Sequence, residues 1–267
     1  MNAILDPILI FGLDLDLTGA ALASVAARVV IGVTAVISII RYYNGFIRPV
    51  PAPLLRDMRL IAAIAVPAIL TQFATPIGQA YVTRSMAEFG EAAVAGMAIV
   101  ARITPIAFGV IFALSGAIGP IIGQNYGAGQ QDRVRGAFRD GLIFTAVVLV
   151  VMSGLLFLLR PALAALFDLD GISQTIVFLF AGPPSFLFFF NGLIFVVNAA
   201  FKNLGHPYYS TLLNWGRNTL GTIPFVLIGA AWFGAPGVLI GQFLGGTVFA
   251  LVALILAKRV IDALVAP

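Results

Sequence analysis

Long stretches of this chain carry no Asp, Glu, Lys or Arg: residues 60–83, 103–131, 141–159, 171–201 and 218–257. A helix rises about 1.5 Å per residue, so about twenty apolar residues cross the roughly 30 Å hydrocarbon core of a bilayer. So many charge-free stretches in 267 residues predict a polytopic, all-α membrane bundle. A transmembrane barrel would instead alternate apolar and polar residues over about ten positions, and the sequence lacks that alternation. The pattern predicts a short apolar segment over 1–12. Helices are predicted over 18–40, 60–83, 93–123, 138–159, 174–199, 209–230 and 236–257. The last stretch is too long for one span, and Phe233-Gly234-Ala235-Pro236-Gly237 breaks it, because Gly and Pro end helices.

Charges fall between these helices with a regular asymmetry. Arg41, Arg48, Arg56 and Arg59 follow the first long helix, while Arg84 is outweighed by Glu88 and Glu91 after the second. Next come Arg133, Arg135 and Arg139, then Asp168 and Asp170, then Lys202, then an uncharged gap, and finally Lys258 and Arg259. Positive residues thus occupy alternate gaps, which predicts that those gaps and the C-terminus are cytoplasmic. The surplus of +4 is loop charge of this kind and gives no reason to expect nucleic acid. With 61% hydrophobic and 10% charged residues, the composition agrees with a membrane chain. The absence of cysteine excludes disulfides and thiolate chemistry. No basic start precedes the first apolar segment, so a cleavable signal peptide is not expected.

Residues 41–59 differ in kind. Pro49, Pro51 and Pro53 argue against a regular helix and the arginines suit a membrane surface, so the segment is expected to be a cytoplasmic linker between two helical lobes. A weak internal echo points the same way. Pro7, Gly12 and Gly19 are spaced much like Pro224, Gly229 and Gly237, and internal repeats are the usual build of secondary transporters. Pro67, Pro76, Pro105, Pro120, Pro183, Pro184 and Pro224 fall within predicted helices. Each removes a backbone donor, and in a bilayer the freed carbonyl must find another partner or face a wet cavity.

Apart from Asp140 at the start of the 138–159 helix, Asp6 is the one carboxylate inside a predicted membrane segment. A charged Asp at the bilayer centre costs about 2.5–3.5 kcal/mol on insertion scales, so it usually faces a cavity. Desolvation favours its neutral form and a bound cation its charged form, which suits exchange of Na⁺ or H⁺. The alternative is that Asp6-Pro7 caps or kinks a helix. Gln72, Thr75, Gln79, Asn191 and Asn198 either face a cavity or bridge helices. The run Ser185-Phe186-Leu187-Phe188-Phe189-Phe190 either packs or lines an aromatic pocket. Arg102 and Arg217 are expected near helix ends, reaching for the interface. Arg28 lies deeper, where Asp6 is one available partner. His206 is expected to be a turn residue. Gly127-Ala128-Gly129 lacks the Lys-Ser/Thr of a phosphate loop.

The run Gly119-Pro120-Ile121-Ile122-Gly123-Gln124-Asn125-Tyr126-Gly127-Ala128-Gly129, followed by Asp132-Arg133-Val134-Arg135, resembles the MATE family of multidrug and toxin extrusion transporters. Two further places are similar to that family. Asn2-Ala3-Ile4-Leu5-Asp6-Pro7, with Ile10-Phe11-Gly12 and Gly19-Ala20-Ala21-Leu22-Ala23-Ser24, resembles its fifth and sixth helices. Asn203-Leu204-Gly205-His206-Pro207 resembles the turn after its tenth, with His206 where Asp is usual. The resemblance implies two six-helix lobes, of which this chain would hold the whole second lobe and the last one and a half helices of the first. The expected organisation is 1–40 as the N-lobe remnant, 41–59 as the linker and 60–258 as the C-lobe. A truncated fragment or a miscalled start is the expectation that follows.

The resemblance also implies a coupling-cation site at Asn2, Asp6 and Ser24. One helical turn sets Asn2 and Asp6 on one face, and Ser24 supplies a hydroxyl where the family has Thr. A second cation site of the kind some relatives carry on helices seven and ten would lack its acid here. Gln72, Gln79 and Asn191 remain as candidate substrate contacts. The implied activity is export of small lipophilic or cationic compounds against entering Na⁺ or H⁺, in the bacterial inner membrane. Membrane lipid is the surrounding, and no cofactor, metal beyond Na⁺, nucleic acid or obligate protein partner is expected. The alternatives are a lipid-linked oligosaccharide flippase of the same superfamily, whose cavities tend to carry more charge, and a non-catalytic membrane scaffold. An intramembrane enzyme would need a nucleophile or metal cluster that the sequence lacks. Cells expressing only this chain are expected to show no efflux of a fluorescent cation, and robust Na⁺- or pH-dependent efflux would contradict the truncation.

Overall fold

The computed structural model describes residues 2–43, 45 and 51–265, with the side chains at 2, 3, 43, 51–53, 56 and 265 outside that description. The chain is 91% helical, with no strand among the described residues. It divides into two compact units, residues 1–59 and 60–267. Among the described residues, five helices are long and apolar enough to cross a membrane, or six if one bent pair forms a single span.

The first unit is a helical hairpin. Helix α1 (Asn2–Pro7) widens into a π turn over Ile8–Gly12, and the chain then reverses into α2 (Asp16–Tyr43). Pro7 donates no backbone hydrogen bond, which favours this loosening of the next turn. Asp14 and Asp16 take left-handed φ of 50° and 43° at the reversal, a region that short polar side chains tolerate best. The arms close on Gly19, where a Cβ would sit 2.7 Å from the Leu9 carbonyl oxygen. Beyond the contact, α2 exposes Val25, Val29 and Ile31, a surface suited to lipid.

Helix α3 (Pro51–Ala87) begins inside the segment expected to be an irregular linker. Positions 44 and 46–50 of that segment, Arg48 and Pro49 among them, lie outside the described residues. Pro51 and Pro53 are tolerated because they fall in the first turn, where backbone N–H groups have no helical acceptor and a fixed φ suits entry.

In the second unit, the span predicted over 93–123 is two helices, α4 (Glu91–Ala107) and α5 (Gly109–Gly127), bent by 49° at Phe108. Pro105 sits one turn before the bend, and a proline inside a helix crowds the carbonyl four residues back. Helix α6 (Gln131–Leu158) follows as predicted, then a short α7 (Arg160–Leu166). The helix predicted over 174–199 is also divided. Helix α8 (Gly171–Phe180) ends before an extended Gly182, Pro183–Leu187 form a 3-10 turn, and α9 (Phe188–Asn203) resumes. Two consecutive prolines deny the helix two donors there.

Helix α10 (Pro207–Gly216) leads into a second π turn, Arg217–Gly221, and then α11 (Ile223–Val265). The Thr222 hydroxyl donates to the Arg217 carbonyl at 2.9 Å, holding the widened turn. Helix α11 folds back at Gly234, whose φ of 63° lies in the left-handed region that glycine adopts freely. Its two arms run so close that a Cβ on Gly237, Gly241 or Gly245 would collide with the backbone at Gly229, Phe225 or Gly221. Small residues four apart thus let two spans pack backbone to backbone.

The remaining walls share this logic. Gly119 and Gly123 leave room on α5 for the Asn203 side chain of α9, which would lie 3.0 and 2.8 Å from a Cβ there. One apolar core gathers Phe108, Ile176, Phe180 and Leu239, and a second gathers Ile122, Val196, Phe201 and Ala253. Adding a methyl at Gly245 is expected to destabilise the chain by about 1–3 kcal/mol through overpacking. Thermal unfolding in detergent should show Gly245→Ala melting earlier. Gly154→Ala, where a Cβ meets nothing within 4 Å, should melt no earlier than the parent.

Candidate functional site

The second unit holds a partly open cavity of about 560 Å³, walled by α3, α4, α5, α9, the π turn after α10, and α11. Gln72, Thr75 and Gln79 line it from α3, Thr104 from α4, and Asn191 from α9. The π turn contributes Arg217 and Asn218, Thr222 follows it, and α11 adds Gln242. Phe112, Phe188, Phe195 and Phe243 supply aromatic surface. Two prolines, Pro76 and Pro105, line the cavity as well, and so do Gln72 and Ala101, the residues four positions before them. Their carbonyls are the ones each proline leaves without a helical donor. These helix breaks therefore stand in the cavity wall.

Polar contacts hold the lining in place. Gln242 Nε2 donates to Gln79 Oε1 at 2.9 Å, joining α11 to α3. Asn218 Nδ2 donates to the Asn214 carbonyl at 2.8 Å. Its amide side chain fills the space over Gly78, where a Cβ would lie 2.7 Å from Asn218 Oδ1. The Arg217 guanidinium, only 8% exposed, donates to Asn191 Oδ1. Arg217 is the charged member of the lining, and no Asp or Glu accompanies it there among the described residues.

Arg217 is therefore not at a membrane interface, as its position near a predicted helix end suggested. The π turn carries it into the first part of the 207–264 apolar segment, ahead of the fold-back at Gly234, and into the cavity wall. Arg102 is exposed, as an interfacial residue would be. Gln72, Gln79 and Asn191 all line the cavity, whereas Asn198 bridges helices by accepting from Asn214 Nδ2 at 3.0 Å. Within the Phe run, Phe188 stacks on Phe108 at 4.2 Å and lines the cavity, while Phe186 is exposed. Sequence reasoning did not assign Asn218, Thr222 or Gln242. An Arg-Asn pair beside a forty-residue uncharged run was the available signal for the first.

In the first unit, Asp6 is half-buried on α1 and Ser24 is exposed on α2, while the Asn2 side chain lies outside the described residues. The hairpin closes at Leu9 and Gly19, so Asp6 and Ser24 both lie on the open side of that contact. No hydrogen bond joins them, and Asp6 forms no ion pair with Arg28 among the described residues. Within those residues there is likewise no cluster of three His, Cys, Asp or Glu placed to hold a metal.

Comparison with known proteins supplies the family. The MatE family model matches residues 67–228, more than half of the chain and including most of the cavity wall. The chain belongs to the MatE family. MatE proteins are transporters, not enzymes, and are multi-pass membrane proteins. A Pseudomonas savastanoi protein described as an uncharacterized 21 kDa protein is 38% identical over 74% of this chain and 65% of its own length. The FAD transporter of Shewanella oneidensis is 26% identical over 98% of this chain and 59% of its own. The multidrug export protein MepA of Staphylococcus haemolyticus is 25% identical over 95% and 56%. The crystal structure of the Vibrio cholerae MATE transporter VcmN in the bent form superposes with a TM-score of 0.84 at 24% identity, over 98% of this chain and 60% of that one. This MatE chain thus spans between 56% and 65% of the length of these relatives.

A wet cavity in this MatE chain has a direct test, because the parent contains no cysteine. Maleimides react with thiolates, which form where water reaches. In native membranes, Thr75→Cys and Gln79→Cys are expected to react with a water-soluble maleimide. Ile69→Cys and Leu70→Cys, exposed apolar positions on the same helix, should stay unlabelled. Equal labelling at all four would mean that α3 has no wet face.

Proposed function

We propose that this chain forms part of an exporter that carries small organic molecules outward across a bacterial inner membrane in exchange for entering Na⁺ or H⁺. The observation that carries the reading is the roughly 560 Å³ cavity walled by helices broken at proline and glycine. Its size falls within the range of about 300–1,000 Å³ usual for small-molecule sites. Broken helices are where secondary transporters place substrate and coupling-ion sites. Multidrug export by MepA and FAD transport by the Shewanella protein support a small organic cargo. In this reading Gln72, Gln79 and Asn191 contact substrate, and the phenylalanines receive its apolar body. Organic cations would meet Arg217 with no acid beside it among the described lining residues.

The coupling ion in this reading is handled by the first unit. Asp6 takes up Na⁺ or H⁺, with Asn2 and Ser24 as neutral oxygen donors. A carboxylate can bind either a cation or a proton, and the two exclude one another, which is what coupling to one entering ion at a time requires. The alternating loop charges support a cytoplasmic C-terminus in this reading. Joined to the first four helices of a MatE relative and placed in vesicles, the chain is expected to export a fluorescent aromatic dye when Na⁺ or acid is supplied outside. Asp6→Asn should lower the driven rate by at least about tenfold, a difference of about 1.4 kcal/mol, with dye binding retained. An unchanged rate would remove Asp6 from coupling.

A further inference from the structure

We propose that the cavity of the second unit selects organic anions, with Arg217 holding a carboxylate or phosphate group of the cargo and Phe112, Phe188 and Phe195 receiving its aromatic or apolar body. The inference rests on reading this cavity as the substrate path and adds the charge of the substrate. Arg217 is 8% exposed and lines the cavity, and Asn191 is its side-chain acceptor among the described residues. A guanidinium has five donors in a fixed fork, so one neutral amide leaves most of them to the cavity. Neither ion pair formed by the described residues involves Arg217. A buried charge without a counter-ion is costly, and inside a membrane such a residue marks a ligand pathway.

Arg160 shows what a structural arginine does in the same unit. Its guanidinium donates to the Phe178 carbonyl and lies 4.5 and 5.7 Å from the ring centroids of Phe157 and Phe178. One carbonyl and two ring faces thus meet the cation, although its buried Nε has no hydrogen-bond partner among the described residues. Arg217 has no such aromatic face among the described residues, and the π turn directs it to open space instead. Around it, the amides of Gln72, Gln79, Asn218 and Gln242 can each donate N–H groups to further oxygens of an anion. Guanidinium matches carboxylate and phosphate bidentately, which makes the preference geometric as well as electrostatic.

The test uses the full chain in lipid nanodiscs and isothermal titration with three probes of one shape: 2-naphthoate, 2-naphthamide and (2-naphthylmethyl)ammonium, with empty nanodiscs subtracted. The expected result is 2-naphthoate binding at least about tenfold tighter than the amide, and the ammonium weaker than both. Arg217→Gln should bring naphthoate to within about threefold of the amide. Asn191→Asp sets a carboxylate against the guanidinium and should erase the preference in the same way, which keeps the test available if Arg217→Gln does not fold. Amide binding without any preference for naphthoate would overturn the anion inference and leave the cavity reading standing. No binding of any probe would overturn both. A preference that survives both substitutions would place the anion elsewhere and overturn the inference.

Discussion

A bilayer core offers no water to satisfy a backbone N–H or C=O, so a chain inside it must bond its own backbone. The helical content of this protein follows from that constraint, and so does the placing of its exceptions. Pro76 and Pro105 leave the Gln72 and Ala101 carbonyls without helical donors, and all four residues stand in the wall of one cavity. At the π turn over Arg217–Gly221 a hydroxyl intervenes, Thr222 donating to the Arg217 carbonyl. Irregular backbone at membrane depth is tolerated where it lines a cavity or is bonded by a neighbour, and both solutions occur here side by side.

Close packing without a hydrophobic driving force sets the second layer of order. Lipid tails are as apolar as leucine, so helices associate where backbones can approach and where polar groups bond across. The two stretches that fold back on each other at Gly234 meet along Gly221, Gly229, Gly237, Gly241 and Gly245, and α5 meets Asn203 of α9 over Gly119 and Gly123. Polar ties connect α9 and α11 to α10 and α3 respectively, and those two to each other. Gln242 bonds Gln79, Asn214 bonds Asn198, and the Pro67 carbonyl accepts the Thr71 and Thr211 hydroxyls at 2.7 and 2.8 Å. These contacts fix the wall positions from which Arg217, Asn191 and the cavity phenylalanines project.

The motif that carried the family resemblance has a physical reading in this geometry. The glycines at 119 and 123 sit under an amide side chain from α9. Gly129 takes a φ of 70° in the turn between α5 and α6. Part of the signature thus encodes how helices touch and turn, separately from what the cavity holds. The cavity lining carries different chemistry, combining a guanidinium, several amides and aromatic rings.

Much of the architecture was legible in the residues. Charge-free runs of membrane-spanning length determined the all-helical class, and the Gly-Pro break at 233–237 separated the last two spans where Gly234 turns the chain. Local chemistry decided both, because length, hydropathy and φ preference are properties of the sequence itself. Other features were not legible. The helix starting at Pro51, the split of α8 from α9 and the inward position of Arg217 depend on what prolines do in a particular turn and on which neighbours take up the freed groups. Asn191 and Asn198 make the same point. Seven residues apart on one helix, they looked alike in sequence, yet one borders the cavity and the other is bonded to Asn214. Burial of a polar side chain is decided by the helix that packs against it, and only the tertiary structure supplies that helix.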